Sequence, residues 1–379
     1  MPPAKKIAIA CRWVKGVTGT TTGILEHTRR FSALGWEVHI YGERLDAGRI
    51  AQAGGHAHFI SSWPVGSYWK RRMFSWLFTR EIKADRFDII HGHGDTLRQD
   101  ILSLHNCVHA AHEAIWAQPL PWASGVGRLH AQMLKAKQFK LLIANSNLMK
   151  QDLLERYGLF SDNISVIYPG YDANRFRIQD HNQHHQLVRD KLGIKKDQLL
   201  IGLITSGDFK KRGVIEFLRA VALLPHKIRE NLHLLIMGQE KLLAPYQEAA
   251  GATSPAYCHF LPPDPNVEKF YHALDIYTHC AFYEEFGQSA QEAMACGIPV
   301  VTHKRVGAAE LFPDQDLILC NNEPQQLANR LQEIIETNEL RYKYIEAGLK
   351  ACKDNTWEDN FRKTHACYQR IIESSTIIS

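Results

Sequence analysis

The stretch Tyr283-Glu-Glu-Phe-Gly-Gln-Ser-Ala-Gln-Glu-Ala-Met-Ala-Cys-Gly-Ile-Pro-Val-Val301 reads as loop, helix, stop and strand. Gly287 permits a tight entry into a helix over about Gln288–Cys296, and Gly297-Ile-Pro299 ends it ahead of a strand from Val300. This register leaves Glu284 in the loop and puts Glu292, eight positions on, inside the helix. Free N–H groups around Phe286, Gly287, Gln288 and Ser289 then point between the two carboxylates. Glu285 competes with Glu284 for the loop role, and the eight-residue register favours Glu284. Anion donors flanked by acceptors for vicinal hydroxyls suit a sugar joined to a nucleoside diphosphate.

Outward from this stretch the same unit repeats. Leu199–Ser206, Leu232–Gly238, Asp275–Cys280, Pro299–His303 and Leu317–Cys320 read as strands. Gly213–Leu224, Val267–Leu274 and Pro324–Thr337 read as helices between them. The first half alternates likewise, with strands expected at Ile7–Val14, Val38–Gly42, Asp88–His91, Ile101–Leu104, Leu141–Ser146 and Ile164–Tyr168. Its helices are expected at Gly23–Leu34 and Asn147–Tyr157. Apolar strands separated by helices predict parallel sheets covered on both faces. The polar, aperiodic Asp180-His-Asn-Gln-His-His marks a break within 170–197. The expected architecture is therefore α/β, with two doubly wound, Rossmann-like domains at 1–172 and 173–356 facing a cleft. A helix within 357–379 is free to join either.

With 379 residues, 45% hydrophobic and 22% charged, the chain has material for two cores. Its net charge of +5 is too small to imply a nucleic-acid protein unless focused on one face. The eight cysteines form no CxxC pair and suit a reducing compartment. Neither a signal peptide nor a long apolar span is expected, so the chain reads as cytoplasmic.

Two further strand-to-helix junctions have anion-binding character. Lys15-Gly-Val-Thr-Gly-Thr-Thr-Thr-Gly23 follows the first strand, although its spacing is neither GxGxxG nor a P-loop. Gly207-Asp-Phe-Lys-Lys-Arg-Gly213 follows the first strand of the second half, where Lys210, Lys211 and Arg212 suit a diphosphate.

These segments resemble the family 4 glycosyltransferases, retaining enzymes of the GT-B fold. Glu284 through Val300 is similar to the family's E-G-F-G-x-x-x-x-E-A-M-A-x-G-x-P-V signature, and Gly23-Ile-Leu-Glu-His27 to its G-x-x-x-H helix start. Tyr168–Phe176 and Gly307-Ala-Ala-Glu310 resemble further family segments, so the likeness spans nearly the whole chain in order. Within the family the chain looks most like glucosyltransferases of the lipopolysaccharide core. The resemblance implies that Glu292 accepts from ribose and Glu284 from the sugar, and that Lys211 and Arg212 hold the diphosphate. It also implies that Gly19–Gly23 abuts the donor phosphate and that His27 and His105 lie near the sugar or acceptor hydroxyl, with Arg175 a further phosphate candidate. The departures are Glu285 for glycine, polar Gln288, Ser289 and Gln291 in the helix, and Ala308 for a second glycine.

The expected reaction moves a hexose, glucose favoured, from a UDP-sugar to a lipopolysaccharide-core or similar glycan or lipid-linked acceptor. No metal or other cofactor is expected, because Lys211, Arg212 and the helix N-terminus supply the positive charge. Asp314-Gln-Asp316 reads as a turn rather than a metal site. Ser67–Lys83 and Trp116–Lys140 mix aromatic and basic residues, as an anionic membrane surface requires, and imply peripheral membrane attachment without a nucleic-acid partner. The rival readings are a nucleotide-sugar 2-epimerase of the same architecture and a basic nucleic-acid- or membrane-binding module. An NAD enzyme using Glu43 is argued against by the missing GxGxxG.

Overall fold

The computed structural model describes residues 4–16, 18–253 and 257–376; Met1–Pro3, Val17, Ser254–Ala256 and Ile377–Ser379 lie outside it. The chain forms two units. One comprises the described residues up to Gly170 together with those from Trp357 onward, and the other is Tyr171–Thr356.

The N-terminal unit is built on β1 (Lys6–Ala10), β3 (Glu37–Gly42), β5 (Gly55–Phe59), β6 (Ile89–Gly92), β7 (Ile101–Leu104), β8 (Leu141–Ala144) and β9 (Ile164–Val166). These pair in parallel in the order β5-β3-β1-β6-β7-β8-β9, and a two-stranded ribbon, β2 (Trp13–Val14) with β4 (Arg44–Leu45), extends beyond them. Alternate side chains of β1 serve opposite faces. Ile7 and Ile9 pack with Ile24, Phe31 and the C-terminal helix residues Phe361, Tyr368 and Ile371. Ala8 and Ala10 meet Tyr41, Phe74 and Phe78 of the opposite layer. The Trp357–Thr376 helix thus belongs to the N-terminal unit, because its aromatic face completes that core.

The second unit has a parallel sheet of β10 (Leu199–Ile204), β11 (Leu232–Met237), β12 (Tyr257–Leu261), β13 (Ile276–His279) and β14 (Val300–Thr302), ordered β12-β11-β10-β13-β14. In each sheet the order reverses beside the first strand, between β1 and β6 and between β10 and β13. The loops leaving these strands at their C-terminal ends diverge there and open a ligand crevice.

Several local expectations differ. Leu317–Cys320 is no ladder strand: a 3₁₀ turn occupies Gln315–Leu317 and a lone bridge joins His303 to Leu319. β5 and β12 are additional edge strands. The stretch after Asp180 is a helix, His181–Lys191, whose Arg189 is buried against Asp275 at 3.0 Å and the Ala273 carbonyl at 3.1 Å.

Candidate active site

In the second unit, the loops after β10 and β13 lie side by side at the switch point. The Phe282 N–H donates to the Lys211 carbonyl at 3.0 Å, and the Cys280 thiol donates to the Gly213 carbonyl at 3.3 Å. The β13 loop is held on its other side, where Glu284 N–H reaches the Arg305 carbonyl and Gly307 N–H reaches the Glu284 carbonyl, each at 3.0 Å. Two ion pairs bridge the loops: Lys211 Nζ sits 3.2 Å from Glu285, and Arg212 pairs with Glu284. All four side chains are mostly buried. Desolvation lowers the Arg212 pKa, which the Glu285 charge partly restores. Arg212 Nε and His279 Nε2 are buried without a hydrogen-bond partner, the kind of unmet polar capacity that marks a ligand position.

Gly287 follows with φ +95° and starts the Gln288–Ala295 helix. A side chain there would crowd Val306 and His279 at 3.0 and 3.4 Å. Ser289 Oγ accepts from Tyr277 at 2.8 Å. Glu292 lies one turn inside the helix and accepts from the Tyr271 hydroxyl at 2.9 Å. Burial raises its carboxyl to about 7 against the opposing pull of that hydrogen bond. The structure therefore brings Lys211, Arg212, Glu284, Phe286, Gly287, Gln288, Ser289 and Glu292 together on two adjoining loops and one helix.

Arg175 lies near enough to Glu292 for its charge to lower that carboxyl's pKa. Its guanidinium is committed to Glu268, with Nε 3.1 Å from the carboxylate, and to the Pro265 carbonyl. Asp314 is a turn residue, accepting from Asp316 N–H at 3.0 Å and paired with Lys343 at 2.7 Å. The polar departures in the signature helix are accommodated. Buried Gln291 donates to the Asn355 carbonyl at 3.0 Å, and Ala308 N–H donates to the Phe286 carbonyl at 2.6 Å.

In the N-terminal unit the glycine-rich segment is irregular at Lys15, Gly16 and Thr18 and helical from Gly19. The Gly19–Ala33 helix starts at Gly19, capped by Thr18 accepting from Thr21 N–H at 3.2 Å. Gly23 lies within the helix and lets Trp357 approach to 3.3 Å of where a Cβ would stand. His27 is committed to Asn360 at 2.7 Å, and burial lowers it to about 4. His105 is hydrogen-bonded to His93 at 2.8 Å and is likewise lowered to about 4 by burial. Both are therefore neutral near pH 7. His91 is structural, held by Tyr368 at 2.6 Å and Ser103 at 2.8 Å. Glu43 is consumed by a buried ion pair with Arg12 at 2.7 Å.

Residues 17–175 match the family described as Glycosyltransferase Family 4, and residues 185–351 match Glycosyl transferases group 1. The chain belongs to the family 4 glycosyltransferases. It is 24% identical to a D-inositol 3-phosphate glycosyltransferase of Nocardioides sp., over 93% of this chain and 85% of that protein. It is 28% identical to the lipopolysaccharide glucosyltransferase WaaG of Escherichia coli K12, over 52% of this chain and 53% of that protein. The crystal structure of WaaG superposes with a TM-score of 0.81 at 20% identity, covering 94% and 98% of the two chains. Anabaena HepE in complex with UDP and glucose gives 0.77 at 18% identity, covering 97% and 100%. The fold is that of the GT-B glycosyltransferases.

Two residues of this glycosyltransferase escape the sequence reading. His279 ends β13 with its Nε2 3.9 Å from Glu284, and burial holds it well below its ordinary pKa. A polar residue at the C-terminal end of a switch-point strand was its available signal. Tyr271, the partner of Glu292, comes from the Glu268–Ala273 helix and has no local signature.

Proposed function

We propose that the enzyme moves a hexose, with glucose favoured, from a UDP-sugar to a lipopolysaccharide-core or similar glycan or glycolipid acceptor at the cytoplasmic face of a membrane. The observation that carries the donor half is the pairing of Lys211 and Arg212 with two carboxylates at the start of the helix bearing Glu292. An arriving diphosphate exchanges for those carboxylates as the partner of the two cations. Glu284 is then released towards the sugar hydroxyls, while Glu292 accepts from the ribose. That HepE has been solved with UDP and with UDP-glucose on the same fold supports this donor class. The relatives' names divide between inositol phosphate and lipopolysaccharide. The aromatic and basic surface of the N-terminal unit favours the lipid-linked acceptor.

In the transfer, the bond from the anomeric carbon to the β-phosphate oxygen breaks as the acceptor hydroxyl oxygen bonds to that carbon on the same face. The hydroxyl proton passes to the departing diphosphate, and UDP leaves. Lys211, Arg212 and the helix N-terminus meet the developing phosphate charge, so the step needs no metal ion. Glu284→Ala is expected to lower turnover of UDP-glucose about 100-fold while UDP affinity is not weakened. Equal loss of turnover and UDP affinity would overturn the sugar-binding role of Glu284. A trapped glycosyl–Glu284 adduct would overturn the same-face step.

A further inference from the structure

Glu285 is the departure from the signature that brings a second carboxylate into the donor site, one position after Glu284. A glycine in that place would carry no charge, whereas Glu285 sets an anion on a wall that must receive a diphosphate. The side chain is not turned away to water. Glu285 is 3% exposed, and its Oε2 lies 3.2 Å from Lys211 Nζ, itself mostly buried. Its charge reaches the second cation as well, because burial lowers the Arg212 pKa and Glu285 raises it again. Glu284 and Glu285 together therefore balance Lys211 and Arg212 before any ligand arrives.

The backbone around Glu285 gives it little room to withdraw. Glu284 N–H donates to the Arg305 carbonyl and Gly307 N–H to the Glu284 carbonyl, each at 3.0 Å. Ala308 N–H donates to the Phe286 carbonyl at 2.6 Å, and Phe282 N–H to the Lys211 carbonyl at 3.0 Å. The loop is thus stitched to 305–308 on one side and to the Lys211 loop on the other. When a diphosphate takes the cations, Glu284 can turn to sugar hydroxyls, while Glu285 stays beside Lys211. An ammonium has three donors and can hold a carboxylate and a phosphate together. The two anions then stand about 6 Å apart, two ion-pair lengths, in a site where water screens them poorly.

Donor and by-product differ in charge at this place. Each phosphate of a UDP-sugar holds one negative charge, whereas free UDP ends in a phosphate that loses its second proton near about pH 6. At about pH 8 UDP therefore carries one more negative charge than the UDP-sugar. We infer that Glu285 is a specificity-determining residue, which repels the extra charge of free UDP, biases the site towards the UDP-sugar and speeds release of the product. A unit charge about 6 Å from a buried carboxylate is repelled strongly enough to change affinity by more than tenfold. Release of product commonly limits turnover in enzymes of this kind of two-step cycle, binding then transfer. The inference rests on the donor reading above and adds to it what separates substrate from product.

The test is calorimetric titration of UDP and UDP-glucose at pH 8, with a chelator present, into wild type, Glu285→Gln, Glu285→Gly and Glu285→Asp. In the Gln and Gly variants UDP affinity is expected to rise at least about tenfold more than UDP-glucose affinity. UDP dissociation from these variants, read by stopped-flow displacement, is expected to slow. Glu285→Asp retains the charge and is expected to retain the wild-type ratio of the two affinities. Glu285→Gln preserves the side-chain volume, so the comparison stands even where Glu285→Gly fails to fold. An unchanged ratio in the Gln variant, or an equal shift in Glu285→Asp, would overturn the inference and leave the donor reading intact. So would a loss confined to UDP-glucose, which would make Glu285 a ligand of the sugar. Absence of binding of both nucleotides to wild type would overturn the donor reading, and this inference with it.

Discussion

Glu292 carries its own pH signature. Its folded pKa of about 7 lies above the ordinary 4.5 because burial disfavours the charge. A ribose diol needs the ionised carboxylate as acceptor, so UDP binding expels a proton below about pH 7. UDP-glucose, whose phosphates do not titrate in this range, is expected to lose affinity from about pH 8 to below pH 6, approaching tenfold per pH unit at the acid end, with a flat profile in Glu292→Gln. Calorimetry across that range checks this, and a flat wild-type profile contradicts it. The neighbouring pairs were partly legible, because a basic turn and the Glu284/Glu292 register mark themselves in sequence. The partnering of Lys211 with Glu285 was not legible, since it joins loops 74 positions apart.

At the scale of elements, the site depends on two loops that touch through their backbones. Gly213 has φ +68°, and a Cβ there would stand 2.1 Å from the Cys280 carbonyl oxygen. Gly193 has almost the same φ, +70°, with nothing near its missing Cβ. Gly193→Ala is therefore expected to cost about 1 kcal/mol of stability, the strain of positive φ alone. Gly213→Ala should cost about 2–3 kcal/mol and also weaken UDP binding, because the Lys211–Arg212 loop must lift from β13. Urea melts and UDP titration of both variants separate the effects, and equal behaviour would contradict the close-approach argument. The Gln288–Ala295 helix was legible because Gly287 and Gly297-Ile-Pro299 bracket it. The Gly19–Gly23 segment was misleading, because glycines and threonines that suit a loop here serve a helix cap and a close contact with Trp357. The edge strands β5 and β12 were masked by histidines, which pair sideways instead of alternating with a core: His39 with His58 at 2.9 Å, and His233 with His259 at 3.1 Å.

For the whole molecule, parallel topology followed from the alternation of apolar strands and helices, whereas the destination of the C-terminal helix needed the three-dimensional core. Buried histidines also give the molecule a shared acid sensitivity. His27, His105, His233 and His303 are lowered to about 4, and His91, His93 and His279 well below their ordinary value, chiefly by burial. The unfolded chain protonates these groups near pH 6.5 while the native chain resists, so stability is lost as pH falls from about 6.5 towards 4. Glu292 and Asp95, both raised by burial, work in the opposite sense over part of that range, but two carboxyls stand against these seven imidazoles. Thermal melts are expected to show a falling melting temperature between about pH 7 and pH 5; a rising one would contradict this balance. The central claim is that Lys211, Arg212 and Glu292 form a metal-independent nucleoside diphosphate site. Its most direct test is calorimetric titration of UDP and UMP, with a chelator present, into wild type, Lys211→Met and Glu292→Ala. The account predicts that wild type prefers UDP over UMP by at least about tenfold, that Lys211→Met closes the gap, and that Glu292→Ala abolishes measurable binding. Equal affinity of wild type for UDP and UMP, or no binding of UDP, would contradict it.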